Sequence, residues 1–238
     1  MAGHSKWANI KHRKEKADSK KGKVFSRIAK EIIVSVKEAG PDPRTNARLK
    51  IAIQKAKVVN MPNDIIDRNI KKASSQDQSN FDEITYELYG YGGVGLMVEA
   101  MTDNKNRLSS DIRIAINKCG GTVATPGAVA YNFDRKGVLT VPKDKVVEDD
   151  LFMEASDAGA DDIDPDEESY MVLTEPEALY QVKEALEAKG IPVIEAQINF
   201  IPKMLIECNK EHQESNQKLI DWLENLDDVD EVTSNMQL

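Results

Sequence analysis

The sequence predicts an α+β protein in which a basic module of about three helices, preceded by an N-terminal arm, leads into regions that mix strands and helices. Three observations carry this. Apolar residues recur at helical spacing up to about Ala73 and at alternating, strand-like spacing from Ile84 onward. The polar stretch Ser74 to Asn80 holds no core-forming residue and separates the two patterns. The charge divides at the same place: residues 1 to 80 hold 19 Lys and Arg against 8 Asp and Glu, net +11, and residues 81 to 238 hold 13 against 33, net −20. A chain of 238 residues suits one or two domains of ordinary size or three small ones.

Up to about Lys23 the arm shows little apolar periodicity and reads as flexible or loosely helical. Phe25, Ile28, Ala29, Ile32 and Val36 then mark one face of a helix that stops at Gly40-Pro41, with Lys23, Arg27, Lys30 and Lys37 on the opposite side. A second helix follows Pro43, N-capped by Asp42 or Asn46, with Leu49, Ala52, Ile53 and Ala56 on one stripe. Ile51 and Val58 project away from that stripe, so this helix is either sandwiched or offers an apolar docking face. Pro62 opens a third helix with Ile66, Ile70 and Ala73 inward.

Beyond the linker a strand (Ile84, Tyr86, Leu88), a glycine-rich turn, a strand (Leu96 to Met101) and a helix from Asn104 to Gly120-Gly121 are expected. Val129, Tyr131 and Phe133 alternate as a further strand, Asp134 to Gly137 reads as a turn, and Val138 to Val141 as the returning strand. From Pro142 the pattern predicts a helix through Val147, Leu151 and Ala155, a short acidic segment, a strand at Tyr170 to Leu173, a helix from Pro176 to Lys189 and a strand at Val193 to Phe200. A strand at Met204 to Cys208, a helix with Leu219, Trp222 and Leu223, and a last strand at Val229 to Thr233 complete the chain. The organisation expected is 1–80 as the basic helical domain with its arm, 81–141 with 203–238 as one α+β domain, and 142–202 as a second, acidic and inserted one.

Several function classes find no anchor. No stretch approaches 18 apolar residues and the arm has no apolar core, so neither a membrane span nor a secretory signal is expected. Cys119 and Cys208 are too few and too distant for a disulfide framework or a Cys-based metal site, and a reducing cytoplasm is the expected compartment. Gly90, Gly92 and Gly95 match G-x-G-x-x-G but lead into a strand rather than a helix, which makes them a turn and not a dinucleotide site. The carboxylates from Asp161 to Glu168 lack the glycine and ligand spacing of a calcium loop and read as a solvated run. No nucleophile elbow or zinc motif occurs. No enzyme activity, cofactor, metal or small-molecule substrate is expected, and the oligomeric state is left open.

Nucleic acid is the expected partner. Lys6, Lys11, Arg13, Lys14, Lys16, Lys20, Lys21 and Lys23, with His12 among them, are dense enough to follow a phosphate chain, and Trp7 offers a ring for stacking on a splayed base. Arg27, Lys30, Arg44, Arg48 and Lys55 extend this candidate surface onto the helices. Gly120, Gly121, Thr122, Pro126 and Gly127 lie in an uncharged stretch that reads as a mobile, possible docking loop, because small residues allow close approach of another backbone.

Three stretches of the basic module carry a family resemblance: Ala2 to Lys14, Phe25-Ser26-Arg27, and Ala52 to Lys57 with Asn60-Met61-Pro62. So do Tyr89 to Gly95, Thr102 to Arg107 and Gly120-Gly121. Together they resemble the YebC family over essentially the whole chain, with Tyr91 where the family has proline and Leu88 where it has glycine. The resemblance implies three domains, a helical one and two α+β ones around a central cleft. It also implies a probable DNA-binding transcriptional regulator acting on promoter DNA, while related mitochondrial translational activators imply instead rRNA or tRNA on the ribosome, where stalling at proline-rich stretches is relieved.

Overall fold

The computed structural model describes residues 21–75 and 81–237. Helix α1 (Lys21–Ala39) ends at Gly40, whose positive φ of 87° lets its N–H reach back to the Val36 carbonyl at 2.8 Å. Helix α2 (Ala47–Val58) starts at Asn46, which holds the joint between the two. The buried Asn46 carboxamide oxygen accepts from the Leu49 N–H (2.9 Å), while its nitrogen donates to the Ser35 carbonyl (2.7 Å) and the Gly40 carbonyl (2.8 Å). Of the two expected caps, Asn46 is the one used; Asp42 instead accepts from Arg44. Helix α3 (Asn63–Ala73) follows Pro62. Ile28, Ile32, Ile33 and Val36 of α1 pack with Leu49, Ala52 and Ala56 of α2 and Ile66 and Ala73 of α3.

The fold is α+β, with this helical region followed by two further domains, each built on a four-stranded antiparallel sheet. The first sheet has the order β3-β1-β2-β8. Strand β1 (Asp82–Tyr89) pairs with β2 (Gly95–Thr102) in register Asp82 with Thr102, and with the short β3 (Thr122–Val123) on its other edge. The last strand, β8 (Val229–Ser234), pairs with β2, with a register shift between Glu99 and Ala100. One face of this sheet is covered by α4 (Lys105–Cys119) and α7 (Lys210–Glu224), which bury Leu108, Ile112, Ala115, Leu219, Ile220 and Leu223 against Leu88, Leu96 and Val98. Burial of roughly ten such side chains at about 1.5–3 kcal/mol each is the main force holding this domain.

The second sheet has the order β5-β6-β4-β7, formed by β4 (Phe133–Pro142), β5 (Asp162–Pro165), β6 (Ser169–Thr174) and β7 (Glu195–Pro202). Helices α5 (Glu148–Ala158) and α6 (Leu179–Ala188) supply Leu151, Ala155, Leu179, Val182 and Leu186 to its core. The chain divides into two compact units: Phe133–Lys203, which is this domain, and the other described residues, in which the helical region and the first sheet belong together.

Three expectations are corrected. Val129 to Phe133 does not form a strand returning through a turn at Asp134 to Gly137. Ala130–Asn132 is a turn of 3₁₀ helix and Phe133–Pro142 runs unbroken in the second sheet, so residues 133–141 do not belong with the first. Gly137 sits mid-strand because the Thr174 side chain and Leu179 approach so closely that a Cβ would not fit. The acidic segment is not merely a solvated run: Asp162–Pro165 is an edge strand with Ile163 buried. Met204 to Cys208 contributes one parallel bridge, Ile206 to Met236, in place of a strand.

Candidate nucleic-acid interface

Helix α1 is apolar on one side and cationic on the other, and both sides are occupied. The Lys23 ammonium lies at the C-terminal end of α7, donating to the carbonyls of Glu224 and Leu226, the latter at 2.6 Å. One turn on, Arg27 donates to the Val229 carbonyl at 3.2 Å and stands 3.7 Å from the Asp230 carboxylate. Lys30 donates to the carbonyls of Met101 (3.0 Å) and Asp227 (2.9 Å) and to the Asp228 carboxylate (2.9 Å). The face that the sequence reading turns outward is therefore applied to the protein's own turn between α7 and β8. A cavity of about 380 Å³ beside α1 is lined by Lys23, Lys30, Phe81, Arg107 and Asp228, among others.

Asp228 is the centre of this contact. Its buried carboxylate accepts from Lys30, from both Nη2 (2.6 Å) and Nε (3.1 Å) of Arg107, and from the Thr102 hydroxyl (2.9 Å). Burial alone would raise its pKa, but the bonds from Arg107, Lys30 and Thr102 prevail and hold it below the usual carboxylate range. Thr102 also accepts the Asn104 N–H at 3.0 Å, and Asn104 caps α4 by accepting from Asn106 and Arg107. The stretch Thr102 to Arg107 is thus a structural node that ties β2, α4, α1 and the α7–β8 turn together. Asp230, two residues on in β8, behaves oppositely: burial pushes it up to about 7, against the pull of Arg27 and Lys30 and with the push of Glu31 and Glu83.

The remaining helical candidates are also paired. Lys55 of α2 donates to Glu31 of α1 at 2.9 Å, Arg48 bridges Glu38 (2.8 Å) and Glu83, and Arg44 makes a two-pronged contact with Asp42, drawing it down to about 2. Arg44 keeps most of its surface in solvent and Arg48 does not. Lys6, Trp7, Lys11, His12, Arg13, Lys14, Lys16 and Lys20 lie outside the described residues, as does the side chain of Lys21. Four cations not singled out in the sequence, Lys57 at the end of α2 and Arg68, Lys71 and Lys72 on α3, are exposed. The signal for three of them was available: Arg68, Lys71 and Lys72 fall opposite the apolar stripe of α3.

The candidate docking loop is anchored at its base. The Glu87 carboxylate of β1 accepts from the N–H groups of Gly127 (2.6 Å), Val129 (2.6 Å) and Ala130 (2.8 Å), and the Tyr89 hydroxyl donates to the Ala128 carbonyl (2.7 Å). Burial works against ionisation of Glu87, yet these three N–H groups keep its pKa below the usual value. The reading of this stretch as mobile is replaced by a backbone held at four points. Gly120 has φ of 87°, and a Cβ there would collide with the Tyr91 ring, which stacks on His212 at 5.6 Å between centroids. Tyr91 is itself fixed by Asn216 of α7, whose carboxamide accepts its N–H (2.7 Å) and donates to its carbonyl (3.0 Å). Thr122, Pro126 and Gly127 are exposed around this frame.

A helical cationic module bonded to an antiparallel α/β domain, followed by a second domain of the same class, describes a multidomain protein whose polar joints are specific. The chain matches the TACO1/YebC protein N-terminal domain over residues 5–76 and the TACO1/YebC second and third domain over residues 81–236. It is 58% identical to a probable transcriptional regulatory protein of Protochlamydia amoebophila, covering 100% of this chain and 97% of that protein. Identity is also 58% to a probable transcriptional regulatory protein of Chlamydia trachomatis serovar L2, over 99% and 100%. The crystal structure of a conserved hypothetical protein from Aquifex aeolicus is similar at a TM-score of 0.84 and 42% identity, covering 92% of this chain and 91% of that one. The chain belongs to the TACO1/YebC family.

Proposed function

We propose that this protein is a non-enzymatic, cytoplasmic, nucleic-acid-binding regulator of gene expression that contacts phosphates through its N-terminal module. The observation that carries this reading is the segregation of charge, +11 over residues 1–80 against −20 over the rest. The names of the chlamydial relatives support regulation of transcription, with promoter DNA as the partner. A second reading, binding to rRNA or tRNA on the ribosome, is favoured by the geometry of the helices. Helix α2 buries Leu49, Ile51, Ala52 and Ala56 and exposes only Ala47, Lys57 and Val58, a narrow face with one cation, and the first two turns of α3 expose Asp64 and Asp67 where a recognition helix would meet bases. Such a module follows phosphates rather than base edges.

Competition between ribosomes and a pool of random duplexes for the full chain at about 0.15 M salt decides between the two. A regulator of transcription selects a duplex motif by several kcal/mol and keeps it in the presence of ribosomes. A ribosome-directed factor is retained by ribosomes, and Trp7→Ala then weakens it by about 1–3 kcal/mol through lost stacking. Retention by neither, at any salt down to about 0.05 M, would overturn the nucleic-acid reading.

A further inference from the structure

We infer that the C-terminal half of α3 is a phosphodiester-binding surface, formed by Arg68, Lys71 and Lys72; this rests on the nucleic-acid reading above and specifies where on the helices it operates. The three cations are exposed, and a helix places them at i, i+3 and i+4, neighbours about 5–6 Å apart on one face. That face is opposite Ile66, Ile70 and Ala73, which pack inward. A strand of nucleic acid presents one phosphate per about 3.4 Å of axis, so long side chains anchored this close together can each reach a separate phosphate.

What separates these side chains from the cations of α1 is that no other described element takes a hydrogen bond or ion pair from them; Lys71 and Lys72 meet only the negative end of their own helix dipole. None of the ion pairs among the described residues involves Arg68, Lys71 or Lys72. Of the carboxylates of α3, Asp64 lies in the first turn, where it complements the positive end of the helix dipole, and Asp67 in the second. The lysines are not needed to close the helix either. The Ile70 carbonyl accepts from the Ser74 N–H (3.2 Å) and hydroxyl (3.0 Å), and the Lys72 carbonyl from the Ser75 N–H (3.2 Å) and hydroxyl (2.8 Å). Lys23, by contrast, is spent on closing α7. Three cations on one helix face with no ion-pair partner among the described residues are suited to an external polyanion, and the neighbouring Asn69 is turned back to the Ile65 carbonyl of its own helix (2.9 Å).

The test uses the full chain with two probes, a 20-nucleotide single-stranded RNA and a 20-base-pair duplex DNA, titrated from about 0.05 to 0.5 M salt. Replacing Arg68, Lys71 and Lys72 together by Gln is expected to lower the slope of log K against log salt by about 2 on the single strand or nearly 3 on the duplex. At 0.1 M salt this is a loss on the order of 100-fold. The probe that the unaltered protein binds more tightly at about 0.15 M salt, and from which the Gln variant is lost, identifies the source of the phosphates. The charge-conserving variant R68K/K71R/K72R is expected to keep the slope, which separates charge from helix stability. An unchanged slope in the Gln variant, with the unaltered protein binding normally, overturns this inference alone. Failure of the unaltered protein to bind either probe overturns the reading beneath it as well.

Discussion

Helices α1 and α3 belong to the same module and each sets cations opposite an apolar stripe, yet they spend their charge differently. In α1, Lys23, Arg27 and Lys30 end on carbonyls and carboxylates of the α7–β8 turn, at distances of ordinary hydrogen bonds for Lys23 and Lys30. In α3, Arg68, Lys71 and Lys72 end in solvent. The contrast teaches that net charge locates a module but not its interface. A cation whose desolvation is already compensated by Asp228 gains little by exchanging that carboxylate for a phosphate, whereas an exposed one gains the release of counterions.

The comparison is broken most severely at Asp228. Asp228→Ala removes the acceptor shared by Lys30, Arg107 and the Thr102 hydroxyl, leaving Lys30 its carbonyls and Arg107 its bond to Asp103, and unfolding free energy is expected to fall by about 2–3 kcal/mol, measured by urea denaturation. A loss under about 1 kcal/mol would show that this carboxylate adds little to the carbonyl contacts and the apolar face that also hold α1. A smaller effect is expected at Asp230, whose response to pH has a definite sign. Its folded pKa of about 7 lies above the 3.8 of an unperturbed Asp, so the folded state binds the extra proton. Stability from this group is greatest below about pH 4 and is lost as pH rises toward 7, with a slope of at most about 1.4 kcal/mol per unit. Asp228 and Glu87, with lowered values, act in the opposite sense and lose their contribution as pH falls through the ordinary carboxylate range. Asp230→Asn should therefore remove only the downward slope between about pH 4 and 7 in a series of unfolding curves; an unaltered slope would assign it elsewhere. The smallest change is expected on α3. Replacing Arg68, Lys71 and Lys72 by Gln should alter stability by no more than about 0.5 kcal/mol, and a larger loss would mean that these side chains do serve the fold.

Helices were the most legible part of the chain because their signal is local. The stripes of α1, α2 and α3, the cap at Asn104 and the stop at Gly120-Gly121 all lie within a few turns of the residues they organise. Strand β4 was misread because Asp134-Arg135-Lys136-Gly137 has the composition of a turn, and only pairing with Thr174 and Ile198 keeps Gly137 extended. Strand β5 was hidden for a similar reason: one buried residue, Ile163, among carboxylates is too little pattern to show. At the candidate interface, spacing correctly divided α1 into two faces. It was silent on what the second face meets, since Asp228 is 198 residues from Lys30 in sequence. Likewise, Glu87 holds a loop some 40 residues downstream, a relation that no local window contains.

That separation has a consequence for how the protein is made. The acceptors of Lys23 lie 201 and 203 residues further along the chain, close to its last strand. At 5–20 residues per second, synthesis leaves an interval on the order of 10–40 s between the emergence of α1 and that of its acidic turn. Throughout that interval Lys23 and Arg27 lack the carbonyls that hold them in the finished fold, and α1 has only its apolar partners in α2 and α3 and, for Lys30, the Met101 carbonyl.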